Sequence, residues 1–343
     1  MKEVRIEGGG ICGLALGQAL AAEGVPVTLI EKGHYPRHRV CGEFLAGITP
    51  KTLRILGLDD LFAEVPIART VSWFKGETCV STHTLPQGVP CQSRYVLDLE
   101  LARRLTEAGG ILRTGERIDP RKPAQEGTIR SLGKASGKSS LLGLKAHFSN
   151  LSLQADLEMH LGDQAYVGLS RVEEGFVNGC GLFTQKRGLQ AKKDGWLPAY
   201  LRASGLELLA ERLEKAKLRP GSFCGVSGFT FGRPANRMDS PSSALLLGDC
   251  HAMIPPFTGN GMTMAFESAA LAFPGLLEYS KGLQDWQTTL ERLSAKRDRS
   301  FNGRLHRAIW LQNLLQKDVT QKILCGAARS KLLPFTFLYR ILH

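Results

Sequence analysis

The stretch Val4–Gly33, VRIEGGGICGLALGQALAAEGVPVTLIEKG, decides the fold. Val4 and Ile6 begin a short strand. Gly8, Gly10 and Gly13 then give G-x-G-x-x-G. Leu14, Leu16 and Leu20, with several alanines, continue as a helix that Gly24 can stop. Val27 to Ile30 read as a buried parallel strand, closed by Glu31. Each part has a mechanical use. Gly8 allows a tight turn, Gly10 lets backbone approach a pyrophosphate, and Gly13 lets helix and strand pack closely. The helix N-terminus offers free N–H groups and a positive dipole end to phosphate. Glu31, about twenty residues on, is placed to accept hydrogen bonds from a ribose diol. The stretch therefore predicts a dinucleotide site. Glu7 is out of place in such a strand, and either faces solvent at its end or perturbs the phosphate turn.

Outside this unit the chain does not continue as regular strand–helix repeats. HYPRHRVCGEFLAG is a loop rich in Arg, His and Pro, and KTLRILGLDDLF looks helical. VSWFKGETCV looks like a strand, and SRYVLDLELARRLTEAGG like a turn and an amphipathic helix. Further on, SALLLGD is an apolar strand ending in an acid, followed by GDCHAMIPPFTGNGMTMAFESA, Gly248–Ala269. Pro255 and Pro256 stiffen that loop, Gly259 and Gly261 remove side chains, and a helix starts near Met262.

In order and spacing these motifs resemble the glutathione-reductase-like FAD proteins, in the branch holding geranylgeranyl reductases, ubiquinone-type aromatic hydroxylases and flavin-dependent halogenases. The resemblance runs from Val4 to about Leu276. It implies a cofactor site of Gly8, Gly10, Gly13, Glu31, Lys32, Arg39, Arg94, Gly248, Asp249, Pro256, Gly259, Asn260, Gly261 and Met262. Asp249 would accept hydrogen bonds from the ribityl chain, and the following helix would aim its N-terminus at the flavin ring. Arg37 and Arg39 either contact the ADP phosphates or form a solvated basic loop. Cys41 and Glu43, in the Cys-Gly-Glu loop, are the candidate catalytic acids.

The sequence also departs from these relatives. The middle motif reads GKASGKSS, Gly133–Ser140, closest to a reductase-like form, and the histidine of the second motif is displaced to His251. The aromatic signature of archaeal geranylgeranyl reductases and the Trp-x-Trp-x-Ile-Pro of halogenases are both absent.

The expected architecture is α/β: a Rossmann-like FAD-binding domain from residues 1–70, 93–140 and 235–285, interleaved with a mixed β-sheet substrate domain from 71–92 and 141–234, and a basic helical C-terminal tail over 286–343. KDGWLPAYLRASGLELLAERLEKAKL is amphipathic and is expected to cover the substrate pocket. Leu157, Met159 and Leu161 alternate with Glu158 and His160, as in strands with one covered face. His147 and His160 read as surface or core residues rather than acids.

Composition narrows the class. Apolar residues make up 43% and charged residues 22%, which suits a folded soluble chain of 343 residues. Eight cysteines without a CxxC give no support to a metal or dithiol site and fit reduced thiols in the cytoplasm. The N-terminus, with Glu3, Glu7 and repeated glycine, is a poor signal peptide, and no apolar run reaches the roughly 20 residues of a membrane span. Ten Lys and Arg against two Asp follow Ala295, so +8 of the net +12 lies there. Such a tail either packs on its own domain with a solvated basic face or lies on an anionic membrane surface. No nucleic-acid motif accompanies it.

Three activities fit: hydride transfer from reduced FAD to a C=C bond, FAD-dependent hydroxylation of an aromatic ring, and non-catalytic ligand binding. CGE and GKASGK favour reduction, on an apolar isoprenoid or polyketide-type molecule. Electrons would come from NAD(P)H bound transiently or from a reduced partner protein, since no second nucleotide fingerprint is present. Oligomeric state has no signal.

Overall fold

Two β-sheets share the chain. The computed structural model describes residues 1–134, 137, 139–233, 243–315, 318–330 and 334–342. Its first unit is β1 (Val4–Glu7), α1 (Ile11–Ala22) and β2 (Val27–Glu31). β1 and β2 pair in parallel, Val4 opposite Val27 and Glu7 opposite Ile30. Every α1 residue but the last is buried, so this helix is sandwiched rather than amphipathic. Next comes α2 (Pro50–Ile55), where Thr49 Oγ1 accepts the Thr52 N–H at 3.2 Å.

β3 (Ile67–Lys75) and β4 (Thr78–Pro90) form an antiparallel hairpin. VSWFKGETCV is therefore two strands, not one: Gly76, at φ 57°, turns the chain where an unbroken strand was expected. α3 (Arg94–Glu107) is capped by Ser93, whose hydroxyl accepts from Val96 N–H at 3.2 Å. β5 (Ile111–Thr114) and β6 (Thr128–Arg130) follow. Then come β7 (Leu141–Ser149), β8 (Leu157–Gly162), β9 (Ala165–Arg171) and β10 (Val177–Thr184), the helices α4 (Trp196–Arg202) and α5 (Glu207–Lys215), and the short strands β11 (Lys217–Leu218), β12 (Cys224–Ser227) and β13 (Leu245–Leu246). The chain ends in α6 (Gly261–Ser280), α7 (Trp286–Leu315), α8 (Asp318–Arg329) and α9 (Phe335–Leu342).

The parallel sheet runs β13-β6-β1-β2-β5, and the mixed sheet β11-β7-β10-β9-β8-β3-β4, with β12 also on β7. β6 joins β1 in parallel from more than a hundred residues along the chain, and β13 in turn joins β6. The α/β reading holds: a Rossmann-like unit, an interleaved mixed sheet and a helical C-terminal region. One core cluster packs Leu14, Leu16, Leu29, Leu101, Ile129 and Phe266 around α1, α3 and α6.

Two expectations need correction. α4 and α5 do not cover the pocket. Leu197, Leu201, Leu209 and Leu213 pack with Phe148, Val167 and Phe183 on the opposite side of the mixed sheet. Nor does β8 have one wet face. Glu158 and His160 are buried like their apolar neighbours, paired at 2.9 Å, with Arg212 of α5 closing on Glu158 at 2.9 Å and Phe74 stacked on the His160 ring. Among the described residues, no helix is long and apolar enough to cross a membrane.

Candidate cofactor and substrate site

The glycine turn is built by close backbone approach. A Cβ on Gly8, which sits at φ 110°, would lie 2.4 Å from the Ser131 carbonyl oxygen, and one on Gly13 would lie 2.1 Å from Gly8 O. Gly10 differs: nothing lies within 4 Å of an added Cβ, so its face is open. The α1 N-terminus has no side-chain cap and no acid in its first turn. These are the conditions for an anion to complete it.

Glu31 lies beside that turn. Its Oε2 accepts from Gly9 N–H at 2.8 Å and its Oε1 from Gly33 N–H at 2.9 Å, while the Arg37 guanidinium is 2.9 Å from Oε1. Burial pushes this carboxyl upward, but Arg37 and the two N–H groups outweigh it and hold it ionised. A carboxylate has about four acceptor positions, so with two N–H groups bound Glu31 keeps acceptor capacity for ribose hydroxyls. Arg37 is therefore a carboxylate partner here. Arg39 bonds Asp98 at 3.0 Å and reaches the Gly9 carbonyl at 3.4 Å. Arg94 also grips Asp98, at 2.7 and 2.8 Å. Lys32 is exposed, close enough to Lys134 to oppose its charge.

Asp249 faces these arginines and has no hydrogen-bond partner among the described residues. Burial pushes its carboxyl up to about 6, against the pull of Arg94 and Arg39. Gly248, at φ 60°, makes the turn that presents it. Pro256 opens the turn leading to Gly259, whose φ of 70° and closeness to Phe44 (2.3 Å from an added Cβ) admit only glycine. Gly261 is open, and α6 begins there, before Met262, with no side-chain cap. Asn260 donates from Nδ2 to the Leu342 carbonyl at 2.7 Å. Two uncapped helix ends, two open glycine faces and an unpartnered carboxylate fit a dinucleotide with hydroxyls and phosphates between them.

Glu43 is fully buried at φ 59° and tied on every side. Its Oε1 accepts from Arg94 N–H at 3.0 Å and pairs with Lys145 Nζ at 3.1 Å, and its Oε2 lies 2.6 Å from His147 Nε2. Burial pushes the Glu43 carboxyl up, but His147 and Lys145 outweigh it, and it stays below the usual range. It is thus held as an anion, with no proton to give at neutral pH. Lys145 Nζ also donates to His38 Nδ1 at 2.9 Å. Burial, and then the Lys145 charge, push His38 down to about 4, so it is a neutral acceptor. His38, Glu43 and His147 have ligand atoms within 4.8 Å of one another. The Lys145 ammonium already supplies positive charge among them.

The rest of the Cys-Gly-Glu loop is clamped to the mixed sheet. Asn178 Nδ2 donates to the Cys41 and Gly42 carbonyls at 3.0 Å each, and Ser170 Oγ to Gly42 O at 2.8 Å. Burial pushes the Cys41 thiol up, with Arg94 opposing, so it stays a thiol. Lys145, His147, Asn178 and Ser170 were not expected in the site. The signal for the first two was present: in LLGLKAHFS, Lys145 and His147 alternate on one face of an otherwise apolar strand.

Two other expectations resolve here. Glu7 neither faces solvent nor disturbs the turn; Arg130 Nε donates to it at 2.9 Å in a buried pair. His251 points away toward α7, 3.3 Å from Asp298, and burial, with Arg297, takes it down to about 4. The middle motif Gly133–Ser140 lies partly outside the described residues.

Beyond Phe44 lies a cavity of about 180 Å³, lined by Val71, Trp73, Leu157, Met159, Phe257 and Phe335 among others. Its outer wall is α7, α8 and α9, so the basic tail is part of the pocket. Trp73, Ser81, Met159, Thr258, Cys325 and Tyr339 are its polar or sulfur-bearing members, and among the described residues no acid or histidine lines it.

The overall shape has known counterparts. The structure matches p-nitrophenol 4-monooxygenase PnpA from Pseudomonas putida DLL-E4 over 99% of this chain and 96% of that one, with a TM-score of 0.77 at 13% identity. It matches Klebsiella pneumoniae HpxO, solved with FAD and uric acid, over 99% and 95%, with a TM-score of 0.76 at 15% identity. The myxobacterial chondrochloren halogenase CndH, an FAD-dependent halogenase, aligns over 92% and 83%, with a TM-score of 0.72 at 18% identity. The fold is that of the FAD-dependent monooxygenases and halogenases. No protein-family model and no curated protein sequence matches the chain.

Proposed function

We propose that this protein is an FAD-dependent monooxygenase that hydroxylates an aromatic, mainly apolar substrate. The observation that carries the reading is the apolar cavity beside Phe257 and Thr258, whose wall holds no carboxyl group or histidine among the described residues. Reduction of a C=C bond needs a proton delivered to carbon. Glu43 is ion-paired away from the cavity, and neither it nor Cys41 lines it. Insertion of oxygen into an electron-rich ring needs no such donor. Solved structures of the same fold support the reading: PnpA is a p-nitrophenol 4-monooxygenase and HpxO was solved with FAD and uric acid, while the halogenase CndH supports FAD dependence alone.

The α1 N-terminus and the open Gly10 face would take the pyrophosphate, Glu31 the ribose hydroxyls, and Asp249 the ribityl hydroxyls. The N-terminus of α6 would stabilise negative charge on the reduced ring. When bound and reduced, FAD supplies the electrons that let dioxygen give one oxygen atom to the ring and the other to water. Electrons would reach it from NAD(P)H or a reduced partner protein. The residues around Phe44 and Phe257 keep bulk water from the substrate side.

The test is reconstitution with FAD, then turnover of a panel of alkylated phenols with NADPH. Product should form in air and not under nitrogen. Anaerobic product formation would reject hydroxylation, and failure to bind FAD would reject the whole reading. Ala328 of α8 lines the cavity and is buried. Ala328→Trp should lower kcat/KM at least tenfold, which is about 1.4 kcal/mol of lost transition-state binding, with an unchanged flavin spectrum. Unchanged turnover would move the substrate elsewhere.

A further inference from the structure

The second face of the parallel sheet carries a polar cleft that the cofactor and substrate sites do not use. Strands of a parallel sheet covered on both sides are normally apolar throughout. β1 and β6 are not. Val4, Ile6 and Ile129 point to the core, while Arg5, Glu7, Thr128 and Arg130 share the opposite face, Arg5 opposite Thr128 and Glu7 opposite Arg130. The loop of residues 115–127 passes over them. It is held there by Arg130, which donates to the Pro120 carbonyl at 2.8 Å and the Lys122 carbonyl at 2.7 Å. Between loop and strands lies a cavity of about 330 Å³.

Its charges do not balance. Glu7 is neutralised by Arg130 at 2.9 Å and approached by Arg5 at 3.4 Å, and Asp119 by Arg121 at 3.0 Å. Arg117 and Lys122 also line the cleft, both exposed, and their side chains have no hydrogen bond or ion pair among the described residues. The floor adds a second observation. Thr128 is fully buried, lines the cavity, and its hydroxyl has no partner among the described residues. A buried hydroxyl normally has one. Two spare cations at the mouth and a spare hydroxyl on the floor are the groups that bind an oxyanion.

We propose that this cleft is a second binding site, for a small metabolite bearing phosphate or carboxylate groups. Arg117 and Lys122 take the oxyanion and Thr128 fixes its inner end.

The protein, with FAD in saturating excess so that the α1 turn is filled, is titrated with inorganic phosphate and separately with citrate at constant ionic strength. The readout is Tm. At least one anion should raise Tm saturably, and the two arms distinguish phosphate from carboxylate chemistry. The midpoint should shift at least tenfold to higher concentration in R117E/K122E. It should stay within twofold in K192E/K215E, which makes the same charge change at exposed, remote positions. Thr128→Val, which keeps the side-chain shape, should weaken the response about threefold or more. If neither anion saturates, or if R117E/K122E responds like the parent, the cleft is not an anion site.

Discussion

Lys145→Met should cost about 3–5 kcal/mol of stability at pH 7, the range for removing one partner of a buried ion pair. Lys145 and Glu43 are both fully buried, and the substitution leaves the Glu43 carboxylate with His147 and one N–H as its remaining partners. The pH dependence carries a sign. Glu43 is held below the ordinary carboxylate range, so its contribution is fully present above the unfolded value of roughly 4.3 and is lost as pH falls through the folded value. Without Lys145 the folded value rises, and the protonated form becomes tolerable. The deficit against the parent should therefore be largest at neutral pH and shrink toward pH 4. Urea unfolding at the two pH values measures it. A loss under 1 kcal/mol at pH 7, or a deficit that grows on acidification, contradicts this account. The double variant E43Q/K145M should recover part of the loss, because the unpaired charge is gone.

Gly8→Ala should cost about 3 kcal/mol or more and abolish FAD binding. Gly8 sits at φ 110°, where a side chain is strained by about 1–3 kcal/mol. Its Cβ would also meet the Ser131 carbonyl and the Leu132 Cα, backbone atoms that cannot swing aside. Gly10→Ala is the informative contrast. An added methyl meets nothing within 4 Å, so stability should change by less than about 1 kcal/mol. Yet the methyl would stand where phosphate must approach the backbone. FAD affinity should fall at least tenfold, read as loss of bound flavin absorbance. Parent-like affinity in Gly10→Ala would remove the turn from the cofactor site.

Local signals were legible where chemistry and chain geometry coincide. The strand–turn–helix–strand of Val4–Glu31 and the start of α6 at Gly261 follow from glycine placement and periodicity. What could not be read was partnership between segments far apart in the chain. Glu7 looked misplaced because its partner, Arg130, is 123 residues away. Glu43 looked like an acid because Lys145 and His147 reach it from the mixed sheet, over a hundred residues on. A carboxylate's neighbours decide whether it keeps a proton, and those neighbours are tertiary. The pocket's cover was misjudged for a related reason. α4–α5 and α8–α9 are both amphipathic, and amphipathicity shows that a face is buried, not against which surface.

The order of strands in the parallel sheet also bears on how the protein is made. β13 pairs with β6, which pairs with β1, yet Leu245 follows Val4 by roughly 240 residues. At a synthesis rate of about 5–20 residues per second, the first strands emerge some 12–48 s before the last one exists. Local hairpins such as β3–β4 can close at once, but the sheet that bears the glycine turn cannot. Non-local pairing of this kind slows folding. During that interval β1 has β2 beside it, but the sheet beyond β6 is incomplete.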